Sequence, residues 1–452
     1  MASPNVSTNT VLKVTESAPA ATDGATSKNE DKRAKGKEAL DRKRKRGSSK
    51  RARKKGNRRR SNTPSSRSEV RIRRGSESGT SSSPSYFAVE IEKPGGYEEL
   101  KVVKKTGKGA SGPNISMMGI NEKDMVVVST DYAGVNYADV CIRWGLYTSA
   151  KKFVGWPITP GFEFVGTVTE VGDNVRNNPD DSIKIGDKVF GVTMFGGYSN
   201  MVQVPRHQVY LVPEELALEE AAALPAVGLT AWYAMFKQYQ PRAKDTVLIH
   251  SVAGGVGGML AQLARICNLK VVGVVGSSHK VEYAYRELHC DLVIDKSKSD
   301  LWEEAEKYSP AGFNAIFDAN GYSTLQEGYN HLAPGGRLIV YGFHSMLPKV
   351  GGRLNVCAWL KIIYGYFKTP RFNPLDMTHL NRAILCFNLS FMFDRTDVLQ
   401  EAMGQLIQYV KTGQLKVPKV TVFPMNRVSA AHKHIESGLS IGKLVLNTKQ
   451  VV

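Results

Sequence analysis

Between the apolar run TVLIHS and the run GGMLAQLARIC lies the hexapeptide VAGGVG (252–257), a glycine-rich turn that carries a strand directly into a helix. Few folds tolerate that arrangement. Gly254 would let backbone approach a pyrophosphate, Gly257 would let helix pack on strand, and the helix N-terminus would face the phosphates with unpaired N–H groups. The alternative is only a tight strand-to-helix turn. The texture then repeats: KVVGVV, DLVID, NAIFDA and RLIVYG read as strands, and VEYAYREL, WEEAEKY and TLQEGYNHL between them read as helices. Regular β-α alternation with short glycine-rich turns predicts a parallel, doubly wound sheet of the Rossmann α/β class.

Upstream, from about Tyr86, the chain is built from short apolar strands broken by Gly and Pro: FAVEIE, LKVVKK, DMVVVSTDYAG, FVGTVTEVG and KVFGVTMFG. This pattern predicts an irregular β-barrel-like domain. Beyond Gly342 a long aromatic connection, CAWLKIIYGYFKTPRF, leads to a helix around residues 398–412 and to final strands at VTVFP and GKLVLN, which are expected to return to the first domain. The expected organisation is a tail over 1–85, the first part of a catalytic domain over 86–218, a dinucleotide-binding domain over 219–378 and the return over 379–452.

The tail explains the charge. Of the formal +19, residues 1–80 hold 23 Lys+Arg against 8 Asp+Glu, which leaves only +4 for the rest of the chain. The same 80 residues contain seven Leu, Ile, Val or Phe, too few to offset the entropy of ordering them, so a disordered basic tail is expected. Its run DRKRKRGSSKRARKKGNRRR (41–60) has the pattern of a nuclear-import signal or of a contact for nucleic acid or an anionic membrane, and residues 32–74 are the segment that would make it. A merely solvated tail is the competing reading. Five scattered cysteines without a CxxC pair suit a reducing compartment, and no apolar window approaches a membrane span. A cytoplasmic protein is expected, with nuclear entry through the tail as the further possibility.

The cofactor is read from the end of the second parallel strand. An NAD-selective site has an acid there, about 20 residues past the glycine turn, to accept the ribose hydroxyls. Here the stretch is GSSHK (276–280), with no carboxylate. A 2′-phosphate would meet hydroxyls and a cation, so NADPH is expected, held by Gly254, Gly255, Val256 and Gly257 at the pyrophosphate and by Ser277 and Lys280 at the adenosine end. Lys296, after DLVID, is within reach of the same phosphate. Val252 replaces the first fingerprint glycine.

Further motifs extend the pattern in order: GVNYADVCIRWGLY (134–147), ITPGFEFVG (158–166), GDKVFG (186–191), EEAAALP (219–225), LAPGGRLIVYG (332–342) and IGKLVL (441–446). Over roughly 360 residues the chain resembles the zinc-free quinone oxidoreductases of the medium-chain dehydrogenase/reductase superfamily. The stretch LNRAILCFNLSF is most similar to the vesicle amine transport protein-like subgroup. The resemblance implies a GroES-like catalytic domain beside the Rossmann domain, NADPH-dependent reduction of a quinone or enone, and a homodimer. It also implies no metal, since zinc enzymes of the superfamily carry a cysteine where Asn136 stands and a histidine where Phe162 stands. By the same resemblance Asn136 and Tyr147 line the nicotinamide pocket, with Tyr147 polarising or protonating the substrate, and Thr230 lies near the nicotinamide. The competing readings are a loop-capping amide for Asn136, a rim aromatic for Tyr147 and a helix-interior hydroxyl bonding its own backbone for Thr230. A cofactor-binding scaffold with weak turnover, tethered by its basic tail, is the alternative function.

Overall fold

The computed structural model describes residues 84–112, 121–347 and 355–451. The basic segment 32–74 and nearly all of the expected tail therefore lie outside the described residues.

The catalytic domain is organised around one long strand, Met125–Val135, whose apolar residues are buried on both faces. It pairs antiparallel with Glu163–Val171, with Met201–Pro205 and, from the far end of the chain, with Lys443–Asn447. Lys188–Val192 and Val209–Leu211 extend the sheet on one side and Val420–Pro424 on the other. Two register shifts in the pairing with Glu163–Val171 bend the sheet. Val126, Val128, Phe164, Val168, Val189 and Val204 fill the interior so formed.

The nucleotide domain is a six-stranded sheet in which every neighbouring pair is parallel: Leu292–Asp295, Lys270–Val275, Thr246–His250, Phe313–Asp318, Leu332–Val340, Ala383–Cys386. In chain order this is 3-2-1-4-5-6, the doubly wound arrangement with its crevice between the first and fourth strands. Helix Gly255–Ile266 buries Met259, Leu260, Leu263 and Ala264 against this sheet, each large side chain contributing ~1.5–3 kcal/mol by its removal from water.

Two sequence expectations are corrected here. The sixth strand, Ala383–Cys386, and helix Thr396–Lys411, which packs on helix Pro225–Trp232, both belong to the nucleotide domain, so the return to the catalytic sheet starts with Val420–Pro424 rather than at 379. The signal was weak because AILC is short and follows an insertion. The aromatic connection is itself a helix, Val356–Lys368, started by the Asn355 side chain accepting from Ala358 N–H. It touches the domain through Ala358 and Gly365, where a Cβ would lie 3.0 Å from the Tyr322 ring, and leaves Trp359, Leu360, Tyr366 and Phe367 exposed. Among the described residues no helix is long and apolar enough to cross a membrane.

Candidate functional site

Gly254 is the N-cap of helix Gly255–Ile266, and the first N–H groups of that helix have no acceptor within it. At Gly257 a Cβ would lie 2.7 Å from the Val252 Cα and run into the Ser251 carbonyl, so only glycine lets the helix start this close to the strand. Ser251 itself takes φ +53°, the left-handed conformation that makes the turn. Val252, the departure from the fingerprint, points down onto the second strand, where Gly273 leaves it room: a Cβ there would lie 2.7 Å from Val252 Cγ1. The close approach of strand and helix is thus kept despite the missing first glycine, with Gly254 as N-cap and Gly255, Val256 and Gly257 as the first residues of the helix.

Across the crevice, Asn136 caps helix Tyr137–Arg143 with its backbone, whose N–H donates to Asp139 Oδ2 at 2.8 Å. Its side chain turns elsewhere. Asn136 Nδ2 donates to Glu163 Oε1 (2.9 Å) and its Oδ1 accepts from Lys443 Nζ (2.6 Å). An acceptor at one end and a cationic donor at the other fix the amide in a single orientation. Lys443 also pairs with Glu163 Oε1 at 2.6 Å and donates to the Val135 carbonyl at 2.9 Å, while Glu163 Oε2 accepts from Ala226 N–H at 2.7 Å. Lys443 is 3% exposed and Glu163 fully buried. Gly134 makes this possible, since any Cβ there would run into the Glu163 carboxylate. Glu163 does bond a backbone amide, as a structural carboxylate would, but its pairing with Lys443 was not foreseen: a lysine on a strand reads as solvent-facing, and its partner is 280 positions away.

The Lys443 stem also reaches the glycine turn. A Cβ on Gly255 would lie 3.5 Å from Lys443 Cδ, and Gly442 bridges to Gly254, with Gly442 N–H donating to the Ala253 carbonyl at 2.8 Å. One side chain therefore abuts both the phosphate-type cradle and Asn136.

Tyr147 lies at the edge of Phe162 (ring centroids 5.8 Å, 69° between planes), and its hydroxyl donates to Asn388 Oδ1 at 3.2 Å. Burial raises its pKa, and hydrogen bonds with Ser390 and Asn388 oppose that shift, so the phenol is a neutral donor at physiological pH. Thr230 donates to the Ala226 carbonyl at 2.7 Å, the self-bonding arrangement of a helix-interior threonine; only its oxygen lone pairs remain for another donor.

Asp139 accepts from Asn136 N–H, from Gly161 N–H (2.9 Å) and from the Tyr198 hydroxyl (3.1 Å), tying together the two loops that present Asn136 and Phe162. Its burial outweighs these bonds and lifts the carboxyl pKa from 3.8 to about 7. The folded state therefore binds its proton more tightly than the unfolded one. The stability Asp139 contributes is full below about pH 4 and is lost as pH rises toward 7. A carboxyl-carbon NMR titration should show one aspartate with a midpoint near 7, and its absence would contradict this.

At the adenosine end, Ser277 precedes the short helical turn Ser278–Lys280, and Lys280 Nζ donates to the Gly438 carbonyl at 2.6 Å. The Lys296 stem passes over Gly276, 3.6 Å from where a Cβ would stand. Sequence reading found no acid in this stretch, yet the fold brings one: Asp295, from the end of the third strand, accepts from the Ser278 hydroxyl at 2.6 Å. His250 likewise gains an acid that its sequence neighbourhood lacks, Asp318 Oδ2 at 3.7 Å; both are fully buried, and burial lowers the imidazole pKa so that it stays neutral. Among the described residues no group of three or more His, Cys, Asp or Glu is placed to hold a metal ion.

Two family descriptions match the chain: Alcohol dehydrogenase GroES-like domain over residues 122–214 and Zinc-binding dehydrogenase over 288–446. It is 31% identical over 366 residues to a synaptic vesicle membrane protein VAT-1 homolog of Danio rerio, covering 80% of this chain and 70% of that one. It is 28% identical to a probable quinone oxidoreductase of Schizosaccharomyces pombe, covering 80% and 97%. Its fold is similar to that of the Escherichia coli quinone oxidoreductase solved in complex with NADPH, with TM-score 0.65, 24% identity and coverage of 80% and 99%.

Proposed function

Because the chain belongs to the VAT-1-like, zinc-free quinone oxidoreductase branch of the medium-chain dehydrogenase/reductase superfamily, we propose that it is an NADPH-dependent reductase of quinones or α,β-unsaturated carbonyl compounds. The observation that carries this reading is Lys443, whose stem abuts Gly255 of the dinucleotide cradle while its ammonium holds Asn136. The cradle fits a dinucleotide because Gly257 admits no Cβ and the helix N-terminus offers free N–H groups.

When bound, NADPH supplies a hydride, a hydrogen with its electron pair, to the electrophilic carbon of the conjugated substrate. The pair displaced from the substrate π system collects on the carbonyl oxygen, where a preorganised donor stabilises it. Tyr147 is that donor. It gives its proton to the reduced substrate and regains one from water, so that one hydride and one proton are consumed per turnover. Asn136, locked at both ends by Glu163 and Lys443, would hold a fixed amide toward the nicotinamide when the cofactor is bound.

Fluorescence titration with NADPH and NADH, followed by a quinone and loss of reduced-cofactor absorbance, tests the reading. Binding with turnover supports it; binding without turnover favours the weakly active scaffold, and no binding removes the cofactor assignment. Lys280→Ala should weaken NADPH roughly 10-fold or more and leave NADH nearly unchanged, the loss of one charge-assisted contact to a phosphate. Equal weakening of both would assign Lys280 to the Gly438 contact alone.

The tail supports a second, independent role. With +15 of the chain's +19 in residues 1–80, residues 32–74 would bind nucleic acid or an anionic membrane, and deleting them should abolish steeply salt-dependent polyanion binding or nuclear enrichment while sparing turnover. A homodimer is proposed from the family, and light scattering on the purified chain tests it.

A further inference from the structure

The residues 387–391, Phe-Asn-Leu-Ser-Phe, follow the sixth parallel strand and touch both domains before the chain continues into the nucleotide-domain helix Thr396–Lys411. Phe387 is anchored on nucleotide-domain aromatics, with ring centroids 4.9 Å from Tyr233 and 6.3 Å from Tyr341. Phe391 is anchored on the catalytic domain, 5.7 Å from Phe153, and the Lys152 ammonium covers both of those rings at 5.1 and 5.6 Å. Between the two anchors, Asn388 Oδ1 gathers three donors: the Tyr147 hydroxyl at 3.2 Å, Ser390 N–H at 3.0 Å and Ser390 Oγ at 2.8 Å. Ser390 is 3% exposed, so it is a fixed strut, whereas Asn388 is exposed.

A phenolic O–H has a rotor, and without an acceptor its direction is set by whatever water is near. We propose that Asn388, held by Ser390, is the positioning residue of the proton donor Tyr147, so that the nucleotide domain sets the direction of the phenol that protonates the substrate. The inference rests on the reductase reading above. Tyr147 is parked on Asn388 until a carbonyl oxygen competes for its hydrogen. The direction of the phenol O–H is thus set by a segment anchored on both domains. An amide suits the task because it is neutral: a carboxylate would hold the proton on Tyr147 more tightly.

Asn388→Leu should lower kcat roughly 10- to 100-fold, the cost of a misdirected reacting group, with KM for NADPH little changed. Asn388→Asp retains an acceptor and should restore kcat to within a few-fold, while moving the alkaline limb of the pH profile upward by about one unit. In the Tyr147→Phe background, Asn388→Leu should have no further effect, and losses that multiply instead would overturn the proposal. A readout free of turnover accompanies these: in protein carrying 13C at the tyrosine Cζ, the resonance missing from Tyr147→Phe should titrate at higher pH in Asn388→Asp than in the unsubstituted chain. An unchanged midpoint in a folded variant overturns the positioning contact even if the enzyme is a reductase. Absence of quinone or enone turnover by the unsubstituted chain overturns the reductase reading, and with it the catalytic role of Asn388, whatever the resonance does.

Discussion

Lys443→Met lowers the free energy of unfolding by about 3–5 kcal/mol, the cost of leaving a buried charge without its partner. Glu163 is fully buried and would keep only the Asn136 and Ala226 N–H donors. The companion Glu163→Gln/Lys443→Met variant should regain much of that loss, because a buried pair removed as a whole is often close to neutral. Urea denaturation of the three proteins measures both numbers. If the double variant is as unstable as the single one, the packing of the lysine stem against Gly255 and the ammonium's bond to the Val135 carbonyl, rather than the pairing with Glu163, are what matter. Both variants should also lose turnover beyond their stability change, since Asn136 is released at its Oδ1 in each.

Tyr147→Phe keeps the edge contact with Phe162 and removes only the hydroxyl. If that hydroxyl protonates the substrate, kcat falls by roughly 10²- to 10⁴-fold, the range for a positioned general acid, while NADPH affinity measured by fluorescence is unchanged. A fall of less than a few-fold would mean that water delivers the proton, and would leave Tyr147 as a wall of the pocket.

The nucleotide domain was legible because its signals are local. The first strand, the glycine turn and an amphipathic helix are consecutive, and four more of the six parallel strands follow at short intervals. The proposed catalytic pair Asn136 and Tyr147 was legible only through the motif that contains both. What lay hidden was long-range. Lys443 meets Asn136 across 307 positions and Asn388 meets Tyr147 across 241, and neither pairing leaves a trace in spacing or periodicity. Two signals existed in retrospect. Gly134 is the one glycine of the strand Met125–Val135, as expected where another group presses on the backbone. IGKLVL places a lysine in an apolar run at which a solvent-facing residue gains nothing from its neighbours. Asp295 shows the opposite failure: the absence of an acid in GSSHK was read correctly, but the third strand delivers one from outside the stretch where it was sought.

The buried ammonium of Lys443 stands between the side chains of Asn136 and Glu163. A cation that is part of the polypeptide is present from the moment the chain folds. It needs no loading step, does not compete with other ions for its seat, and cannot be stripped by a chelator. The positive charge at this place is therefore inherited with the sequence.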